Sequence, residues 1–122
     1  MEALDIDAGR VFKTLIATVD DRTVVAVVPV SARLDLKALA RAAGGKKATM
    51  AEQAAAERLT GYVVGGISPL GQRRKLTTFV DTSAQHVELM YVSGGRRGVE
   101  IELRPDDLVA VVDGGYSPIA AR

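Results

Sequence analysis

Cysteine is absent from all 122 residues. That absence removes disulfide frameworks, cysteine nucleophiles and thiolate metal sites together. Only one histidine exists, His86. A histidine-rich metal site is therefore excluded, and histidine-dependent serine catalysis would have to run through that residue. Long apolar runs are lacking too. The longest, Val24 to Val30, suits a buried strand and falls far short of the roughly 18–20 residues that a membrane span needs. The chain opens with Glu2, Asp5 and Asp7, not with the basic start of a secretory signal, which points to the cytoplasm. Strong net charge is missing as well. At +1 the balance neither supports nor excludes RNA, although local basic patches can still grip phosphates. An enzyme with this composition must work with backbone amides, lysine, hydroxyls, carboxylates or its substrate's own groups, with no metal and no cofactor expected.

What remains is an ordinary globular composition, 48% hydrophobic and 25% charged, long enough to bury roughly two-thirds of the unfolded chain's surface. No repeat, low-complexity tract or linker appears, so residues 1–122 read as one domain. Val11 to Val19 alternates apolar and polar residues on a β-branched background and predicts a strand. Asp20-Asp21-Arg22 is a turn, and Thr23 to Val30 a second strand buried on both faces. Leu34 to Ala43 has helical spacing and is stopped by Gly44-Gly45. A short extended piece spans Lys47 to Met50. An Ala-rich helix follows over Ala51 to Thr60, with Gly61 just past its end. Tyr62 to Val64 reads as a strand leading into Gly65-Gly66-Ile67-Ser68-Pro69, and Leu76 to Asp81 and Val87 to Val92 as further strands. Ser93 to Gly98 is a hairpin-type loop returning through Val99 to Leu103. Pro105, Asp106 and Asp107 start a helix that ends near Gly114-Gly115. Hairpins outnumber βαβ units, so the expected class is α+β: a mixed, mostly antiparallel sheet with flanking helices.

Four features carry chemical interest. Lys13 shares its strand face with Val11, Leu15, Ala17 and Val19; it either guards an edge strand against aggregation or stands at the mouth of a pocket, where it would hold an anion or a carbonyl. The Gly65 to Pro69 loop with Gly71 is either a plain turn or a backbone-amide cradle for an oxyanion. It is not a P-loop, because Gln72 and Arg73 occupy the positions of the lysine and of the hydroxyl residue. Ser93-Gly94-Gly95 adds a hydroxyl on a second flexible loop, a common turn residue in its own right. Three basic clusters, Lys46-Lys47, Arg73-Arg74-Lys75 and Arg96-Arg97, are solvated surface unless the fold gathers them onto one face, where they would track an RNA backbone. His86 reads as structural or surface.

These stretches also carry a resemblance. Val11-Phe12-Lys13-Thr14-Leu15, Leu34-Asp35-Leu36-Lys37, Thr60 to Gln72 and Tyr91 to Gly98 occur in this order. Together they resemble the YbaK/EbsC family of Cys-tRNA(Pro) deacylases, relatives of the editing domain of prolyl-tRNA synthetases. The likeness spans nearly the whole chain, and four ordered blocks are far more specific than one glycine motif. It implies an enzyme that clears cysteine mistakenly attached to tRNA(Pro), with the aminoacylated 3′ end as ligand and prolyl-tRNA synthetase as partner. It assigns the essential lysine to Lys13, with Thr14 also matching. The pocket-framing G-x-x-x-P loop falls on Gly65, Gly66, Ile67, Ser68 and Pro69. The pocket serine falls on Ser93, followed by Gly94, and Glu100 stands where a family member carries aspartate. In the mechanism it implies, the substrate's own thiol attacks its ester and the protein supplies positioning and oxyanion stabilisation. No protein nucleophile, histidine base or metal is then required.

One departure stands out. Family members usually carry a few dozen more residues before the lysine-bearing strand, whereas twelve precede Lys13 here. A shortened N-terminus would remove part of the pocket and leave an apolar patch suited to pairing with a second copy. Two alternatives follow: a non-catalytic module that binds tRNA or the synthetase, or a deacylase for another mischarged amino acid such as alanine.

Overall fold

The computed structural model describes residues 8–121. The acidic start, Glu2, Asp5 and Asp7, lies outside them. A central five-stranded sheet runs in the order β4-β1-β2-β5-β8, where β1 is Phe12–Val19, β2 Arg22–Pro29, β4 Ala48–Met50, β5 Thr77–Asp81 and β8 Gly115–Ser117. Antiparallel pairing joins β1 to β2 and to β4, and parallel pairing joins β5 to β2 and to β8. Two small antiparallel ladders accompany it among the described residues: β3 (Arg33–Leu34) with β9 (Ala120–Ala121), and β6 (Met90–Ser93) with β7 (Glu100–Leu103). Three helices, α1 (Leu36–Ala42), α2 (Gln53–Thr60) and α3 (Pro105–Val112), flank the sheet. This is the expected α+β class. No helix among the described residues is long and apolar enough to cross a membrane.

Both faces of the sheet are covered. Because side chains alternate along a strand, Phe12 and Ile16 of β1 join Val25 and Val27 of β2, together with Ala56, Met90, Val92 and Leu108, in one core. Ala17 and Val19 join Val24, Ala26 and Val28 in a second core, closed by Leu39 and Ala40 of α1 and by Ile119. Thus β2 is buried on both sides from Val24 to Pro29, as its unbroken apolar run implies.

Local boundaries follow the hydrogen bonding. Asp35 caps α1, its carboxylate accepting the Ala38 N–H at 3.1 Å; Leu34, read as helix, instead pairs with Ala120. Helix α2 begins at Gln53 and not at Ala51, because the Ala51 N–H donates to the Ile16 carbonyl at the sheet edge. Gly61 ends it with φ +84, a left-handed geometry that costs glycine nothing.

Two expected strands are corrected. Residues 62–64 are not a strand: the Tyr62 N–H donates to Thr60 Oγ1 and the Val64 N–H to Glu57 Oε2. Side chains close by therefore satisfy the donors that a ladder would have used. The strand expected from Val87 begins at Met90. Asp81 caps a 3-10 turn over Thr82–His86, and Val87 still donates back to Ala84. His86 ends that turn on the exposed surface, and not at a strand. Across the sheet, the Tyr116 hydroxyl donates to Asp106 Oδ1 at 2.6 Å, joining β8 to α3. Burial, and then this carboxylate, hold that phenol well above its ordinary range.

Candidate active site

The outer edge of β1 is shared by two elements that diverge. Near one end β4 pairs with Ala17, Thr18 and Val19; at the other, Val11, just before β1, makes a single parallel bridge to Tyr91 of β6. Between them the edge opens into a cleft of about 400 Å³, within the range of small-ligand sites. Buried Phe12, Ile16, Ala56 and Ile67 supply its apolar lining. Lys13, Thr14, Gly65, Ser93, Glu100 and the Arg96-Arg97 pair supply its polar lining.

Lys13 faces Val28 across the β1–β2 ladder, on the face otherwise closed by α1. It is half-buried where that covering ends, so the open edge and the pocket mouth are the same place. Thr14, opposite Val27, has a buried hydroxyl with no hydrogen-bond partner among the described residues. Such a group costs roughly 1–3 kcal/mol of stability.

The glycine loop is held from several sides. Glu57 of α2 accepts the Val64 N–H at 2.8 Å, and the Gly66 N–H donates to the Val63 carbonyl at 3.0 Å. With those two amides committed, Gly65, at φ +99, is the loop glycine that lines the cleft. A Cβ on Gly66 would lie 2.6 Å from the Arg96 Cα, so the first loop packs backbone to backbone on the second. Ser68 is buried and its Oγ accepts the Leu70 N–H at 3.1 Å. Gly66, Ser68 and Pro69 are all buried behind the lining and shape it without forming its surface.

The second loop leaves β6 at Ser93, which pairs with Glu100. Ser93 Oγ accepts the Gly95 N–H at 3.2 Å. The serine is thus a turn residue that also lines the cleft. Gly94 donates to the Val99 carbonyl at 2.7 Å and lies outside the lining; a Cβ there would meet Val99 at 2.6 Å.

The basic clusters separate. Arg96 and Arg97 are exposed at the cleft. Arg73, Arg74 and Lys75 are exposed beyond the end of α2 and outside the lining; Arg73 and Arg74 donate backbone N–H groups to Thr60 and Leu59. Lys75 pairs with Asp113 at 3.5 Å. Lys46 and Lys47 are fixed through their backbone to Asp20 in the β1–β2 turn, about 20 Å along the strand from Lys13 at ordinary strand rise.

Sequence reading missed Glu57, Gln53, Met50 and Tyr62. Gln53 and Met50 line the cleft. Glu57 and Tyr62 act on loops several residues away, a distance at which periodicity carries no signal.

Comparison with known proteins identifies the family and the fold. The aminoacyl-tRNA editing domain family matches residues 1–111. A protein of Enterococcus faecalis, named as the Cys-tRNA(Pro)/Cys-tRNA(Cys) deacylase EbsC, is 42% identical over 123 residues, spanning 99% of this chain and 74% of its own length. Two solved structures share the fold. One, described as a trans-editing enzyme for prolyl-tRNA synthetase, superposes with a TM-score of 0.91 at 22% identity, over 99% of this chain and 76% of that one. The other, a hypothetical protein, gives 0.89 at 26% identity, over 98% and 79%. On the family match and this identity, the chain belongs to the aminoacyl-tRNA editing domain family.

Proposed function

We propose that this editing domain, residues 1–122, hydrolyses the ester of mischarged aminoacyl-tRNA in the cytoplasm, with Cys-tRNA(Pro) as its substrate. The observation that carries the reading is the meeting of Lys13, Gly65 and Ser93 on one cleft whose lining contains neither cysteine nor histidine. Such a site can orient an ester and stabilise developing negative charge, but it has no histidine base to activate a hydroxyl nucleophile.

A substrate that brings its own nucleophile completes the chemistry. The cysteine sulfur attacks its own ester carbon, forming a C–S bond, while the C–O bond to the ribose breaks and that oxygen leaves protonated. The four-membered thiolactone then opens with water to free cysteine. Lys13 places a cation beside the carbonyl oxygen, and the Gly65 N–H is the backbone donor for the oxyanion. Ser93 donates its hydroxyl proton to the substrate. Thr14 lies beside the lysine, and Ile67 and Ala56 limit the side chain admitted. Glu100 supplies an acceptor for the α-amino group, and Gly66, Ser68, Pro69 and Gly94 hold the loops. Arg96 and Arg97 sit where the tRNA phosphates approach, with Arg73, Arg74 and Lys75 as a more distant backbone contact. With a net charge of only +1, binding to tRNA alone is weak and falls with salt; prolyl-tRNA synthetase as a partner offsets this.

Offering Cys-tRNA(Pro), Ala-tRNA(Pro) and Pro-tRNA(Pro) side by side tests the reading. Rapid loss of cysteine alone is expected. Equal loss of alanine would remove the thiol from the mechanism and hand the attack to water.

Glu57→Ala frees the Val64 N–H and should lower kcat/KM about three- to tenfold, the kinetic equivalent of one modest hydrogen bond. Glu57→Gln keeps an acceptor and should stay near wild type. Steady-state assays of both variants check this, and equal activity in all three proteins would remove Glu57 from the account.

A further inference from the structure

We infer that Tyr62 is a positioning residue that locks the two cleft loops to each other; its kinetic consequence rests on the deacylase reading above. The half-buried Tyr62 packs against the core that contains Phe12 and Ile16. Its hydroxyl donates to the Leu70 carbonyl at 2.5 Å, bracing the far end of the glycine loop. Its ring lies against the other loop: a Cβ built on Gly95 would stand 3.1 Å from the Tyr62 Cε1. Gly95 has φ +114, a conformation that side chains rarely adopt, so absence of a side chain and backbone shape both admit the ring there. Gly71, at φ +63, leaves the same kind of room at the hydroxyl end, where a Cβ would lie 3.2 Å from the tyrosine oxygen.

One rigid side chain thus touches both loops, each at a glycine, and Gly65 and Ser93 lie on those loops at the cleft. Tyr62 reaches no lining position itself. Its effect passes through the spacing of the two loops, to which near-attack geometry is steeply sensitive.

The test compares Tyr62→Phe and Tyr62→Leu with wild type. Hydrogen exchange is read at the Gly66 and Gly94 amides, both hydrogen-bonded in the native loops, and kcat and KM are read on Cys-tRNA(Pro). Tyr62→Leu keeps the site apolar but shortens the reach. Faster exchange is expected at both amides, with kcat reduced on the order of a hundredfold, as misplacement of about 1 Å can cause, and KM changed much less. Tyr62→Phe keeps the ring on Gly95 and loses only the bond to Leu70, so exchange should quicken at Gly66 alone and kcat should largely recover. Unchanged protection of Gly94 in Tyr62→Leu would overturn the coupling, as would activity lost only in proportion to the unfolded fraction. If wild type is inactive on this substrate, the deacylase reading fails, and the exchange pattern still decides the coupling.

Discussion

Replacing Lys13 with alanine is expected to lower deacylation of Cys-tRNA(Pro) by a factor of about 10²–10³, the loss typical when one oxyanion-stabilising donor is removed. The fold should hardly notice. Lys13 is half-buried at the cleft, and no ion pair ties it to a carboxylate among the described residues, so its truncation removes no structural contact of weight. Activity and stability should therefore separate. Circular dichroism and thermal melting should superpose on wild type while the rate collapses. Lys13→Met, which keeps the length and loses the charge, should behave like alanine if charge is what matters. Retained activity in either variant would remove Lys13 from the centre of the chemistry. A matched fall in melting temperature would instead make it a structural residue.

The second large effect concerns stability. Asp81, at the end of β5, is 5% exposed. Its Oδ1 accepts the Ile119 and Ala120 N–H groups, each at 2.9 Å, and its Oδ2 accepts Ser83 N–H at 3.1 Å. One carboxylate thus pins the C-terminal strand β9 and starts the 3-10 turn. Burial alone would raise its pKa, but the hydrogen bonds from Ser83, Ile119 and Ala120 outweigh it and hold the carboxyl below its ordinary value of 3.8. A carboxyl with a depressed folded pKa adds stability that is fully present above the unfolded value, about 3.9. That stability is lost as pH falls through the folded pKa. Asp81→Ala leaves three backbone donors without their acceptor, at roughly 1–3 kcal/mol for each one that stays buried. Denaturant unfolding between neutral pH and pH 3 checks both statements. The alanine variant should be markedly weaker at pH 7, and Asp81→Asn should show a flatter decline below pH 4 than wild type. A wild-type slope unchanged in Asp81→Asn would mean that other carboxylates carry the acid sensitivity.

The central hairpin was legible because its signals are local. Alternation over β1, the apolar run of β2 and the Asp20-Asp21 turn each specify their own element. The Pro105-Asp106-Asp107 group marks a helix start in the same way, whereas spacing places Asp35, the cap of α1, inside its helix. The cleft was not legible from periodicity. It exists because β4 and β6 leave the β1 edge in different places, and both pairings are non-local. Residues 62–64 failed as a strand for a related reason: Thr60 and Glu57 satisfy backbone donors that β-propensity assigned to a ladder. Gly65 and Ser93 carried weight only through resemblance, since a glycine loop by itself reads equally well as a turn. Lys13 lies between these cases. Its misplacement on an apolar face was visible, but only the open edge shows that it reaches a pocket.

The most direct measurement is release of free cysteine from Cys-tRNA(Pro) by this chain, held far below the substrate concentration. The account predicts many turnovers per protein molecule and no comparable release from Pro-tRNA(Pro). Binding of the charged tRNA without release would contradict it, and would make the cleft a recognition site without hydrolysis.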